Sequence, residues 1–458
     1  MSIDQHPPTP VEAPPEGPAS EGSAPDDPGP APSMTAGQWA RLGVVLGLLV
    51  LLTATTGAWG LVMVLGIVVM ITLHELGHFV MAKRAGMKVT EFFLGFGPRV
   101  WSIQRGETEY GLKLVPAGAY VKIVGMHNIE EVDPADEALT YRQKPFWARI
   151  GVAVAGSTVH FLLALGLIFI LLAGVGLPAG TLTPDEDQWR VEGVEQGTPA
   201  FAAGLRDGDD VVALDGRPTP TFESLREVVY DRPGDEVALT VERDGRTFET
   251  TATLAPHEAD PAVGFLGVGQ TVPEERLGVL AAVPATFREF GNITRESTVG
   301  LARVFSPSRL SDFGSQVANA RDEPAAVDEP DRPVRPSAAS SADEPESSEE
   351  NRLLSLLGVF RLGVGLGDTG GVAGVLLLFA LMNVFIGLFN LLPMLPFDGG
   401  HVAIAVYERF QERRRHLSQR YFADVGRLLP MTYAVVGALA LLFASTLYLD
   451  IASPLTVN

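Results

Sequence analysis

Among the 458 residues of this chain, His74-Glu75-Leu76-Gly77-His78 has the residue types and spacing best suited to chemistry. On a helix, positions i and i+4 differ by about 40° of rotation, so the two imidazoles share one face. Glu75 stands beside them, placed to act as a general base on water activated by a metal. With eight histidines in the chain, chance supplies such a motif roughly 0.01 times. Use of these residues for packing alone is costly, because an unpaired ionisable group inside a membrane span costs about 2.5–3.5 kcal/mol.

Catalytic zinc takes three protein ligands and keeps one position open. The chain has no cysteine, so His, Asp or Glu must supply them, and disulfide scaffolds and thiol nucleophiles are excluded. The third candidate lies in the stretch Asn390–His401, where Pro393, Pro396, Gly399 and Gly400 break a helix and free backbone groups. Asp398 is the carboxylate best placed there. His401 and His160 are rival ligands, His401 being expected at the interface and His160 lining a cleft or donating to a carbonyl. His127 and His416 fall in hydrophilic loops.

These residues need elements to hold them, and the hydropathy pattern supplies membrane helices. The chain is 46% apolar with a net charge of −21, but the apolar residues form a few long blocks and the charge lies between them. Counterion release needs basic surface, so nucleic-acid binding is excluded as a main task. The expected fold is a polytopic α-helical membrane protein: four core spans and an additional N-terminal one, with an inserted β-rich domain outside the membrane.

Residues 1–38, rich in Pro, Ser and acid, read as a disordered tail. The apolar block from Leu42 to Met81 is twice the ~20 residues of a span, and Thr55, Thr56, Gly57 and Gly60 interrupt it. It divides into an additional span at 39–58 and a span at 59–82 carrying the His-Glu motif, a helical hairpin. A loop at 83–149, a span at 150–176 and a β-rich domain at 189–272 follow, the domain marked by turn signals such as Asp215-Gly216 and Asp244-Gly245. Next come an amphipathic connector at 273–317, a disordered acidic linker at 318–350, a membrane segment with its span at 351–400, a basic loop at 401–429 and a last span at 430–448.

All five lysines lie between the second and third spans, and six arginines follow the fourth, whereas 184–350 is acidic and lacks lysine. The positive-inside rule then places both basic loops and the N-terminus in the cytoplasm, and the β-rich domain and C-terminus outside. His74, His78 and Asp398 all fall near the inner side, where they can meet.

Together these residues resemble the site-two protease family of intramembrane zinc metalloproteases, in particular its bacterial regulator-of-sigma branch. The resemblance covers roughly residues 60–450. It rests on the HELGH motif, Gly95-Phe96-Gly97-Pro98, Pro116-Ala117-Gly118-Ala119-Tyr120-Val121-Lys122, and the string from Asn390 through Pro393 to Asp398-Gly399. By position it implies that His74, His78 and Asp398 bind one Zn2+ per chain, with Glu75 as general base. Asn390, Pro393, Tyr120 and Gly118 would position substrate, the last two on a membrane-associated β-hairpin.

The family carries out regulated intramembrane proteolysis, cutting transmembrane segments after an earlier cut by a site-one-type protease. Single-span substrates such as anti-sigma factors or signal-peptide remnants, in a bacterial cytoplasmic membrane, are therefore implied, with no nucleic-acid partner. Residues 197–216 look like part of a permuted PDZ domain. Gly264-Phe265-Leu266-Gly267 is its candidate carboxylate-binding turn, a plain strand-end turn being the alternative. The chain departs from the family at His160, Ala119 and Phe397, none of them a presumed ligand. The competing reading, a non-catalytic membrane PDZ scaffold, has no use for four intact motif positions; nor would a prenyl-protein peptidase need the β-rich domain.

Overall fold

The structure, a computed structural model, describes residues 35–126, 130–178, 189–257, 260–271, 274–304, 306, 309, 311, 313–315, 355–417 and 419–452. The acidic linker, His127 and nearly all of the N-terminal tail lie outside them. Among the described residues four helices are long and apolar enough to cross a membrane.

Helix α1 (Ala36–Arg84) opens on a capping box in which Thr35 and Gln38 satisfy each other's backbone N–H groups. Its regular geometry breaks at Gly57, with φ 71° and ψ −169°, values that a residue without Cβ adopts freely. The Arg41 guanidinium donates to the Arg99 carbonyl at 2.5 Å. A straight helix would hold Arg41 roughly 65 Å from Arg84, so the chain must turn at Gly57 for Arg41 to reach Arg99. The later segment carries the His-Glu motif in its last turns and ends on Lys83 and Arg84.

Strands β1 (Val89–Arg105) and β2 (Thr108–Ile123) follow. The sequence suggested a hairpin here; the register shows a curled sheet in four segments. Residues 109–112 are flanked by 91–94 on one side and 101–104 on the other, and 119–122 pair with 91–94 at the edge. The strands are too long to stay flat, and folding over buries Phe93 and Val89. Tyr120 stacks on Phe93 and Phe96, at ring distances of 5.8 and 6.1 Å.

Helix α2 (Phe146–Ala153) leads through Val154 into α3 (Ala155–Ile170) and a π turn at Leu171–Val175. The β-rich domain then packs α4 (Pro199–Ala202) and α5 (Phe222–Tyr230) against a four-stranded sheet. Its strands are β3 (Asp210–Leu214), β4 (Arg217–Pro218), β5 (Glu236–Arg243) and β6 (Arg246–Thr253), in the order β4-β3-β5-β6. Val191, Val211, Leu214, Leu225, Leu239 and Val241 form its core. Buried Asp209 ties the domain together, accepting from the Arg243 guanidinium at 2.6 and 2.7 Å and from the Arg206 N–H.

Helix α6 (Val279–Val304) is the amphipathic connector. Its Ala282, Ala285 and Ile293 pack on Ala164 and Ile168 of α3 and on Ala380 and Val384 of helix α7 (Leu356–Asn390), so it is part of the bundle. The membrane segment and span expected at 351–400 are helix α7, which bends at Gly371 (φ 56°). The half before that bend packs on α1, where Gly363 and Gly367 admit Met63 and Trp59.

Asp398 opens helix α8 (Asp398–Arg414), so the first half of the expected basic loop is helical. Gly399 and Gly400 do not break it. A Cβ at either would meet the backbone of residues 391–395 at 2.2–2.7 Å, so they serve close packing of chain on chain. Helix α9 (Leu429–Ala452) closes the fold.

Candidate metal centre

The last turns of α1 bring His74 and His78 to one face, as the i, i+4 spacing dictates, and α8 begins beside them. The ligand atoms of His74, His78 and Asp398 all lie within 4.8 Å of one another. His78 Nε2 stands 3.2 Å from His74 Nε2 and 3.2 Å from Asp398 Oδ2, and His74 Nε2 stands 3.4 Å from the same oxygen. Tetrahedral zinc with N and O ligands at about 2.0–2.2 Å places its donors about 3.3–3.5 Å apart. The triangle therefore has the size of a zinc site.

Donor chemistry agrees. His78 Nδ1 is 2.7 Å from the Val152 carbonyl, which only accepts, so Nδ1 carries the proton and the Nε2 lone pair faces the site. Among the described residues Asp398 Oδ2 is buried without a hydrogen bond, a costly arrangement unless a cation completes it.

α3 sets the packing behind the imidazoles. A Cβ at Gly156 would lie 2.3 Å from His74 Cε1 and 2.5 Å from His78 Nε2, while Gly77 of the motif sits against Ala155 and Val159. Small residues at this crossing bring the two helices close enough for the rings to fit. Sequence reasoning missed Gly156, because nothing in its neighbours along the chain says that it faces the imidazoles.

Glu75 is half-buried, and its Oε2 accepts the Val121 N–H at 3.2 Å. The outer edge of the 119–123 segment therefore faces the centre. In the same segment the Tyr120 hydroxyl donates to Glu91 and accepts from Lys113 Nζ, which anchors the strand. Gly118 is buried under Phe96. Asn390 closes α7 and Pro393 lies exposed in the turn before α8; among the described residues neither hydrogen-bonds the triad.

His160 is buried, its ring 4.9 Å from that of His74, and its Nδ1 donates to Asn383 Oδ1 at 2.8 Å. The Asn383 amide nitrogen in turn donates to the Phe379 carbonyl, which fixes its orientation. His160 thus ties α3 to α7 through a side chain, where the sequence suggested a carbonyl or an open cleft. His401, expected at the interface, is buried 6.2 Å from the Tyr141 ring, because α8 continues through it and turns it inward.

In the β-rich domain, Gly264–Gly267 line one wall of a groove of ≈ 210 Å³ whose other wall is α5, with Phe222, Leu225 and Val229. The Leu266 carbonyl accepts from Ala200 N at 2.8 Å.

Similarity to known proteins agrees with this geometry. Residues 62–332 and 348–432 match Peptidase family M50. Zinc metalloprotease Rip1 of Mycobacterium tuberculosis is 32% identical over 418 residues, 85% of this chain and 96% of the relative. Rip1 of Mycolicibacterium smegmatis is 29% identical over 86% of this chain and 97% of its own length. Metalloprotease MmpA of Caulobacter vibrioides is 28% identical over 75% and 85%. With apolar helices, a His-His-Asp cluster and a family match over most of its length, this chain belongs to peptidase family M50, the site-two proteases, as a multi-pass membrane zinc metalloendopeptidase.

Proposed function

We propose that His74, His78 and Asp398 hold the zinc, that Glu75 is the general base, and that the reaction is hydrolysis of a peptide bond within a substrate's transmembrane segment. The observation that carries this reading is the buried triangle of donor atoms, 3.2–3.4 Å on a side, built from two apolar helices and the start of a third. Zinc supplies a Lewis acid that acidifies water and polarises a carbonyl. Glu75 takes the proton from the attacking water and returns it to the departing amine. The apolar helices around it keep bulk water away from the reaction.

A helical substrate hides its carbonyls and must unwind before Glu75 can act on it. The free edge of 119–123 offers backbone groups to which an extended chain adds as a strand. The Val121 N–H bound to Glu75 is the donor such a strand would meet. Asn390 and Pro393, in the stretch between α7 and α8, lie where they can hold its other side.

Substrates are single-span proteins already shortened by an outside cut, such as anti-sigma factors or signal-peptide remnants, in regulated intramembrane proteolysis. The β-rich domain acts as a PDZ module whose groove between α5 and Gly264–Gly267 takes an extended chain end. Five crossings, counting the two halves of α1, put the N-terminus and the basic segments in the bacterial cytoplasm, and the β-rich domain and C-terminus outside.

The test is cleavage of a short single-span substrate by purified protein in detergent, wild type beside Glu75→Gln, with zinc measured on both. Zinc stays at one per chain in both, and cleavage falls at least ~10²-fold in the variant. Cleavage by Glu75→Gln at the wild-type rate refutes the assignment.

A further inference from the structure

Away from the metal centre, α2 and α8 diverge around a cleft of ≈ 750 Å³. Its chemistry is unlike that of the apolar bundle. Five cationic side chains line it (Lys144, Arg149, Arg409, Arg413 and Arg420), against two carboxylates, Glu408 and Glu412. Arg149 Nη2 is paired with Glu408 at 2.6 Å and Arg409 with Glu412 at 3.0 Å. The Arg420 guanidinium donates to the Arg142 carbonyl. Lys144 and Arg413 have no ion-pair partner among the described residues, so the cleft carries an excess of positive charge.

Two further features say what it takes. Arg149, which lines the cleft, is buried, and its Nε–H has no hydrogen-bond partner among the described residues. A buried guanidinium donor without a partner behind this wall adds to the positive potential that an anion in the cleft would meet. The rim is apolar: Trp147 is 78% exposed, Phe410 57% and Leu417 44%. Trp147 stands eight residues, or ~12 Å, before the start of α3, a membrane-spanning helix. That is the depth of the headgroup layer, where tryptophan anchors.

We propose that the α2–α8 cleft binds the phosphate headgroup of an anionic phospholipid, its oxygens meeting Lys144 and Arg413 and its acyl chains leaving past Trp147 and Phe410. The phosphate chemistry alone would also suit a small soluble phosphate; the exposed aromatic rim is what favours the lipid. Glu408 lies ten residues, or ~15 Å, along α8 from Asp398. An occupied cleft therefore holds α8, and with it Asp398, against α2. The proposal does not depend on the identity of the reaction, and its test reads binding and not cleavage.

The full-length zinc-bound chain, stripped of lipid in a neutral detergent, is titrated with dioctanoyl phosphatidylglycerol, with phosphatidylcholine of the same chains, and with glycerol phosphate. Intrinsic fluorescence is the readout, with Trp147→Phe as the control for its source. Phosphatidylglycerol gives a saturable change that disappears in Trp147→Phe and is at least tenfold tighter than with either other probe. Lys144→Gln with Arg413→Gln weakens it at least tenfold while zinc stays at one per chain. Equal affinity for phosphatidylcholine, equal affinity for glycerol phosphate, a change that persists in Trp147→Phe, or unchanged affinity in the double variant each overturns the assignment.

Discussion

Gly156→Ala is a change of one methyl group on a helix that contributes no metal ligand, yet it should empty the metal centre. The new Cβ would stand 2.3 Å from His74 Cε1 and 2.5 Å from His78 Nε2. Carbon contacts settle at about 3.5–4.0 Å, so the rings or the helix must retreat by about 1.2 Å. Zinc ligands tolerate displacements of about 0.2 Å. The imidazoles have little room, since His78 Nδ1 is held by the Val152 carbonyl and His74 lies between Gly156 and His160. Moving α3 away instead would pull it off Gly77, where it packs on Ala155 and Val159. Zinc affinity should fall at least ~100-fold, about 2.7 kcal/mol. The assay is zinc retained per chain after dialysis against chelators of graded strength. Gly166→Ala, on the same helix where a Cβ meets nothing among the described residues within 4 Å, serves as the control. Wild-type zinc retention in Gly156→Ala would refute this account of the site.

Two other perturbations follow from features outside the metal centre. Glu408→Leu leaves the Arg149 guanidinium buried without its carboxylate, so stability falls by about 3–5 kcal/mol. Arg149→Met with Glu408→Leu should cost less than either single change, as read from denaturant midpoints in detergent; additive losses would show that the two groups do not depend on each other. Hydrogen bonds from Arg142 and Gln143 hold the Glu137 carboxyl down at about 2 from its ordinary 4.5. Its contribution is therefore complete above pH 4.5 and is lost as pH falls toward 2. Hydrogen exchange over 137–144, corrected for intrinsic rate, should be protected at pH 6 and progressively less so below pH 4. Glu137→Gln should lose that dependence.

Much of the architecture was legible because membrane solvation is a one-dimensional constraint. A span must be a continuous apolar run, so the four long helices show in composition, and Thr55 to Gly60 bracket the break at Gly57 in α1. The β-rich domain shows through its Asp-Gly turns. The sheet after α1 was less legible: the resemblance through Pro116–Lys122 suggested only a hairpin, and the pairing of 109–112 on both sides depends on what the strands bury. The helical stretch of α8 was hidden by Gly399 and Gly400, which look like helix breakers until the backbone of 391–395 is seen packed against them.

By itself the sequence determines that His74 and His78 share a face, because helical geometry fixes the direction of residues four apart. It also determines that Glu75 lies next to them and that the chain enters the membrane several times. Only the tertiary structure decides that Asp398, more than three hundred residues away, brings an oxygen within 3.4 Å of both imidazoles. It likewise decides that Gly156 is the surface on which the rings rest, that Val121 turns its N–H toward Glu75, and that α2 and α8 leave a cationic cleft between them. Each is a meeting of distant segments, set by how apolar helices pack against one another, and local sequence carries no record of which faces will touch.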